Sequence, residues 1–155
     1  MNRDTLVFRL AKRSDEPAII RMPADDELGN QREKYEDPLS EGYYVAFDKI
    51  SIDTNHEPIV GEFNGEIVGT LHLIFLPSLS FQGGVRGQIE SVRVEAKFRN
   101  QGIGKEMMKQ SIERAGNRGV HVVQPTTHGS REDAHRFYKS LGFTESHLGM
   151  KLSLR

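Results

Sequence analysis

The stretch that decides the fold runs from Arg93 to Ala115 and reads RVEAKFRNQGIGKEMMKQSIERA. A strand-like run ends, two glycines follow two residues apart, and an amphipathic helix begins at once. Ile103, Met107, Ser111/Ile112 and Ala115 form one stripe, while Lys105, Glu106, Lys109, Gln110, Glu113 and Arg114 face elsewhere. Glycine costs roughly 1 kcal/mol against alanine at an interior helix position, so Gly102 and Gly104 serve something other than helix propensity. A helix start offers unpaired N–H groups and about half a positive charge. Without Cβ atoms at 102 and 104, the phosphates of a ligand can approach the backbone closely. The segment RNQGIGK, Arg99 to Lys105, therefore reads as an anion cradle, with Arg99 and Lys105 able to add charge-assisted contacts.

Two common phosphate motifs fail on these residues. A nucleotide P-loop needs G-x-x-x-x-G-K followed by Ser or Thr, but Arg99 stands at the first glycine position and Glu106 follows Lys105. The dinucleotide fingerprint G-x-G-x-x-G fails because Met107 holds the third glycine position. The pattern that fits is R-x-x-G-x-G, from Arg99 through Gly102 to Gly104.

Upstream, Val85–Val94 reads as a strand with an irregularity. Val85, Gly87 and Ile89 share one parity, and Val92 and Val94 share the other. An extra residue must switch the faces, which predicts a β-bulge near Glu90–Ser91. Asn64-Gly65 between two β-rich runs predicts a hairpin over 58–77. Thr5–Lys12 predicts a first strand, and Ser14 caps a helix that Pro23 ends or kinks. Apolar residues at 39, 43, 46, 47 and 50 predict a helix over Pro38–Ile50, and 78–84 reads as a loop. Downstream come a strand at Val120–Thr127 and a helix at Arg131–Gly142, with Gly142 just past its end. Residues 143–146 and 147–155 supply final strands. The early strands should pair antiparallel, and the strand–helix–strand unit from Val85 to Thr127 should be a right-handed parallel crossover.

The 155 residues suit a single domain over 1–155. At this size folding buries about 70% of the unfolded chain's surface, enough for a real core. A formal net charge of −1, from 21 basic and 22 acidic side chains, supplies no electrostatic footprint for nucleic acid. The chain has no cysteine, which excludes disulfides, thiolate catalysis and thiolate-bound metals. His128 and His135 lack metal-ligand spacing and no H-E-x-x-H exists, so no metal is expected. The longest apolar run, Leu71–Pro77, is far too short to span a bilayer. The N-terminal MNRDTLVFRLAKRSDEP lacks a signal-peptide core. A cytoplasmic protein without membrane contact is the expectation.

VRVEAKFRNQGIGKEMM (Val92–Met108) resembles the acyl-CoA-binding motif of the GNAT superfamily of N-acetyltransferases. AHRFYKSLGF (Ala134–Phe143) resembles the motif that follows it in that superfamily. The two stand in the expected order, one strand apart, and cover Ile89–Phe143; the N-terminal half matches more loosely. The resemblance implies an α/β fold of α+β type: a mixed, mostly antiparallel central sheet of six or seven strands, flanked by about four helices. It implies that Val85–Val94 and Val120–Thr127 run parallel and splay apart. It implies acetyl-CoA as acyl donor, with its pantetheine arm in that gap, and direct transfer of acetyl to the primary amine of a small molecule. Donor-binding positions implied are Val92, Arg93 and Val94; Arg99, Asn100, Gln101, Gly102, Ile103, Gly104 and Lys105 around the pyrophosphate; and Thr127, Ala134, Phe137 and Tyr138. A non-catalytic acyl-CoA-binding sensor or interaction module fits the same motifs, as does a protein or peptide N-acetyltransferase. A homodimer stays open.

Acetyl transfer to an amine needs the amine to lose a proton, the carbonyl to be polarised, and the leaving thiolate to be protonated or stabilised. Glu90 sits at the expected bulge, so its carboxylate can turn into the cleft; it is the candidate general base, acting through water. Its plainer reading is a solvent-facing or salt-bridged strand glutamate. Tyr138 matches the tyrosine that often serves the family as general acid toward the thiolate. Ala134, Tyr138 and Leu141 also share one helix face, so a core role stays open, and a buried phenol would still need a partner. Thr126, Thr127 and His128 follow the strand at the cleft and can reach donor or acceptor. Gln124 and Pro125 depart from the asparagine some members carry nearby. The acidic residues Asp25, Asp26, Glu27, Glu33, Glu36 and Asp37 lie where the family builds its acceptor pocket. An acidic mouth favours a cationic amine; a solvated loop is the alternative.

Overall fold

A five-stranded sheet organises the chain, whose computed structural model describes residues 5–25 and 33–154. Its elements are β1 (Leu6–Leu10), α1 (Glu16–Ala24), α2 (Glu41–Ile52), β2 (His56–Phe63), β3 (Glu66–Pro77), the single turn α3 (Ser80–Gly83), β4 (Val85–Val94), α4 (Ile103–Asn117), β5 (Val120–Pro125) and α5 (Glu132–Ser140). Spatial order follows chain order. The pairs β1–β2, β2–β3 and β3–β4 are antiparallel, and β4–β5 is parallel. The expected crossover is thus β4–α4–β5.

Local chemistry explains most boundaries. Phe63 pairs with Glu66 across Asn64 and Gly65, whose φ angles are 50° and 80°. Two left-handed residues match the twist of a two-residue hairpin, and Asn-Gly adopts them at little cost. The first helix starts later than the sequence suggests. Ser14 lies in a 3-10 turn, Arg13–Asp15, and α1 begins at Glu16 with proline in its first turn. Asp15 holds that turn: its carboxylate accepts the Lys12 backbone N–H at 2.9 Å and two Arg9 guanidinium bonds at 2.6 and 3.0 Å. Pro23 sits in the last turn, and the helix stops one residue later.

The core lies between the sheet and α4. Ile59, Leu71, Leu73, Phe75 and Ile89 of the strands meet Met107, Met108 and Ala115 of α4, and Phe137, Tyr138, Leu141 and Phe143 pack alongside. On the opposite face Met22 of α1 packs on Val60 and Ile67.

The sheet has five strands, not six or seven, because no strand follows α5 among the described residues. Phe143 joins the core, but residues 144–154 run exposed. Leu148, Met150, Leu152 and Leu154 are exposed at 89, 91, 86 and 90%. The alternation that suggested a strand is present. What is missing is a neighbour to take its N–H and C=O groups, and a strand exists only with one. None of the helices is long and apolar enough to cross a membrane among the described residues.

Candidate active site

The site begins where β4 leaves β5. Their pairing runs from Val85↔Val120 to Ile89↔Pro125 and stops there, while β4 continues to Val94. Two features meet there: β5 itself ends at Pro125, which has no N–H to donate, and β4 carries the expected bulge. Thr70 pairs with Arg93 and His72 with Glu90, so Leu71 alone faces both Ser91 and Val92. Ser91 takes a φ of 54° to make this possible. A bulge bends its strand and sharpens the twist, which turns the end of β4 away from β5. The freed edge carries Val92, Arg93 and Val94. Arg93 donates to the Val92 carbonyl at 2.8 Å, and Arg99 donates through Nε to the Val94 carbonyl at 3.0 Å.

The loop that follows leads into the first N–H groups of α4. After a 3-10 turn at Ala96–Phe98, Asn100 and Gly102 take φ angles of 59° and 83°. Arg99 before them is extended, with φ −64° and ψ 158°, and a turn of this kind, with left-handed residues in it, suits an anion nest. Gly102 is the N-cap of α4, and its carbonyl accepts the Glu106 N–H at 3.1 Å. The first N–H groups of the helix have no intrahelical partner. Gln101 steadies the loop by donating its side-chain amide to the Lys97 carbonyl at 3.0 Å. Lys105 is exposed and unpaired among the described residues.

The two glycines serve different ends. Gly102 needs its left-handed φ of 83°. Gly104 has no such need: a Cβ there would lie 3.5 Å from Val94 Cγ2 and 3.6 Å from Phe137 Cζ, ordinary contact distances. Gly104 thus sits between Val94 of β4 and Phe137 of α5, and a Cβ would narrow the gap between them.

Tyr138 borders the same gap from α5. Its ring meets Phe137 and Phe143 with centroids 5.4 and 5.9 Å away. Burial pushes its phenol above the ordinary value of 10, while Arg93 and Arg131 pull it partly back. The hydroxyl has no hydrogen-bond partner among the described residues, so it is free to meet a ligand. Glu90 is exposed at the bulge and makes no ion pair or hydrogen bond among the described residues.

Fold and sequence thus bring together Val92, Arg93, Val94, the 99–105 loop, Phe137 and Tyr138. Ala134 is half-buried one turn before Tyr138, and Thr127 is exposed on the loop after β5. His128 is turned inward on its own loop: its ring meets Ser130 Oγ at 2.8 Å, and its carbonyl takes the Arg131 N–H at 2.9 Å. Asp26 and Glu27 lie outside the described residues. Glu33 accepts the Tyr43 hydroxyl at 3.0 Å and Glu36 pairs with Lys34 at 2.6 Å, so part of the acidic stretch is spent locally. A cavity of about 270 Å³ adjoins this loop, lined by Leu6 and Phe8 of β1 and by Gln101, Gly102, Ile103 and Glu106.

Sequence reading missed a second set, on the sheet face opposite α4. His56 Nδ1 and His72 Nε2 lie 2.9 Å apart, and burial together with His56 lowers the His72 pKa to about 4. Gln124 donates to Gln88 at 2.7 Å across the β4–β5 pair. The available signal was alternation: His72 interrupts an apolar run, and Arg86, Gln88 and Glu90 occupy every second place of β4.

A family model described as acetyltransferase (GNAT) family matches residues 25–143. The chain belongs to the GNAT acetyltransferase family. Over 84 residues this GNAT chain is 33% identical to an aminoalkylphosphonate N-acetyltransferase of Salmonella typhimurium, covering 54% of each. Over 99 residues it is 31% identical to a glucosamine 6-phosphate N-acetyltransferase of Trypanosoma brucei brucei, covering 64% of this chain and 62% of that one. The GNAT chain therefore spans less than two thirds of the length of these curated relatives. A crystal structure of a transcriptional regulator from Bacillus halodurans C-125 superposes with a TM-score of 0.93 at 45% identity, covering 96% of this chain and 99% of that one.

Proposed function

We propose that the chain is an acetyl-CoA-dependent N-acetyltransferase that moves acetyl directly to the primary amine of a small molecule. The observation that carries this reading is Gly104. Neither backbone conformation nor internal packing requires a glycine there, yet a side chain would close the gap beside the nest. A phosphate-bearing donor explains both the nest and the missing Cβ.

On this reading Val92 and Val94 offer their backbone to the pantetheine arm, and Gln101 to Lys105 hold the pyrophosphate, with Arg99 and Asn100 at its rim. Thr127, Ala134 and Phe137 border the arm. Glu90 takes the amine proton through water. As the new C–N bond forms and the C–S bond breaks, Tyr138 gives its proton to the departing sulfur. A phenol whose burial keeps it protonated suits that role. Without cysteine, no thiol of the chain can carry the acetyl group, which favours direct transfer. The named substrates of both curated relatives are small amines, which supports the same class here. A cationic amine end suits the free carboxylate of Glu90. Mass spectrometry of an amine panel incubated with protein and acetyl-CoA tests the reading: acetylated amine supports it, and unmodified amines throughout would refute it.

The reading includes a homodimer. Its support is the exposed stripe Leu148, Met150, Leu152 and Leu154 together with the open outer edge of β5. The tail of a second copy suits that edge as an added strand. Reciprocal exchange would take eight apolar side chains from water, and with the surfaces they cover reach the roughly 1,200–2,000 Å² of a stable interface. Light scattering decides: twice the chain mass of 17.5 kDa supports the dimer, and 17.5 kDa excludes it.

One observation favours a second reading, a non-catalytic acyl-CoA sensor: the Bacillus halodurans structure bears the name transcriptional regulator. It keeps the nest and gives up Glu90 and Tyr138. Donor binding without amine-dependent turnover would select it.

A further inference from the structure

Beside the splay point, β4 holds polar groups that the acyl-transfer chemistry does not use. Gly87 and Ile89 face α4: a Cβ on Gly87 would lie 3.7 Å from Ala115, and Ile89 is fully buried in the core. By strand alternation Arg86, Gln88 and Glu90 share the opposite face. Their antiparallel partners on β3 are Leu76, Ile74 and His72, and the parallel partners of Arg86 and Gln88 are Val122 and Gln124. Gln88 is only 6% exposed. Its Oε1 accepts from Gln124 at 2.7 Å, which leaves its Nε2 buried with no partner. Two residues earlier the Nε of Arg86 is also buried and unpartnered. Arg86 pairs with no carboxylate among the described residues.

Buried donors are nearly always satisfied, and each exception asks for a cause. Here two exceptions stand two residues apart on one face, one of them positively charged. Both donate and neither accepts. Their strand neighbours Leu76, Ile74 and Val122 are apolar and offer them no partner, and a buried setting strengthens any anion contact.

We infer that Arg86 and Gln88 form an oxyanion-binding corner for the acceptor, which is an amine that also carries a carboxylate or phosphorus oxyanion. This deepens the reading of the protein as an N-acetyltransferase and rests on it. The spacing agrees. Gln88 and Glu90 are adjacent same-face positions, about 7 Å apart along a strand. An anion held at Gln88 and Arg86 leaves an amine two to four bonds away within reach of Glu90. The cationic end then meets the base, and the anionic end meets the two donors.

The test compares kcat/KM for matched amines that differ at the far end: propylamine, 3-aminopropanol, 3-aminopropanoate and 2-aminoethylphosphonate. The corner predicts that at least one of the two anionic amines exceeds both neutral ones by tenfold or more. The carboxylate-to-phosphonate ratio then names the oxyanion. In Arg86→Met and Gln88→Leu the anionic-to-neutral ratio falls at least tenfold, a readout that general loss of folded protein would not move. Equal use of neutral and anionic amines overturns the corner and leaves the acyltransferase reading standing. A chemistry-free arm separates the two failures. Methylphosphonate and acetate are titrated into the protein with acetyl-CoA present, and the Arg86 and Gln88 amide signals are followed by NMR. Saturable shifts, lost in Arg86→Met, support the corner even where no amine turns over. No shift with either anion overturns it.

Discussion

Substituting Gly104 by alanine separates folding from binding, and the structure predicts opposite signs for the two. The added Cβ meets Val94 and Phe137 at 3.5 and 3.6 Å, so the folded state accepts it without strain. The unfolded chain loses conformational freedom, and such a change stabilises by about 0.4–1 kcal/mol. For a domain of this size that raises Tm by about 1–4 °C. Donor binding moves the other way. The methyl group occupies the gap between β4 and α5 and holds a pyrophosphate off the nearest N–H groups. Losing one hydrogen bond to a charged group costs about 1.5–3 kcal/mol, which weakens Kd about tenfold to a hundredfold. Calorimetric titration with acetyl-CoA and a thermal melt of the same sample measure both. Gly102→Ala is the contrast, since its φ of 83° makes any side chain strained, at about 1–2 kcal/mol. A Gly104→Ala protein that melts higher yet binds acetyl-CoA as tightly as the parent would refute the idea that this glycine is kept for the donor. One that melts lower would show that it serves the fold.

Tyr138→Phe keeps the ring contacts with Phe137 and Phe143 and removes only the hydroxyl. Steady-state turnover should fall about 10²-fold while the acetyl-CoA Kd stays within a factor of about two; an unchanged rate across pH would remove the phenol from the chemistry. Glu90→Gln should slow the reaction most at lower pH, where the acceptor amine is protonated, so a pH–rate profile parallel to the parent's would leave Glu90 without a role as base. His72 makes a stability prediction. Its native pKa of about 4 lies below the ordinary 6.5, so between those values the unfolded chain binds a proton that the native chain does not. Stability therefore falls as pH drops from about 6.5 to 4. The full shift is worth about 3 kcal/mol, and solvent screening of a partly exposed ring reduces it to about 1–2 kcal/mol. Urea melts of the parent and His72→Gln should show this slope in the parent and a flatter one in the variant. Equal slopes would contradict the assignment.

What could be read from the sequence were features fixed by a few adjacent residues. The parity change between Ile89 and Val92 located the bulge, because a strand cannot switch faces without an extra residue. Asn64-Gly65 located the hairpin, because both residues accept left-handed φ. Gly102 and Gly104 marked the loop that opens α4, although only the structure shows that the first is needed by the backbone and the second is not. What could not be read depends on distant partners. The alternating tail from Leu148 to Leu154 has the pattern of a strand, but pairing belongs to two segments and a pattern belongs to one. Ser14 has good capping chemistry, yet Arg9 and Lys12 give Asp15 the stronger set of bonds and the helix starts beyond it. Arg86 and Gln88 look like ordinary polar places on a strand. Their unpartnered nitrogens are visible only once β3 and β5 are packed beside them.

The central claim is that an amine attacks the acetyl group of acetyl-CoA held at the β4–α4 nest. The direct measurement is free thiol released from acetyl-CoA as a function of amine concentration. The chain contributes no background to it, having no cysteine. The account predicts thiol release that saturates with amine, matches acetylated product one to one, and drops sharply in Gly104→Ala. Tight acetyl-CoA binding with no amine-dependent thiol release would contradict it and leave a sensor built on the same nest.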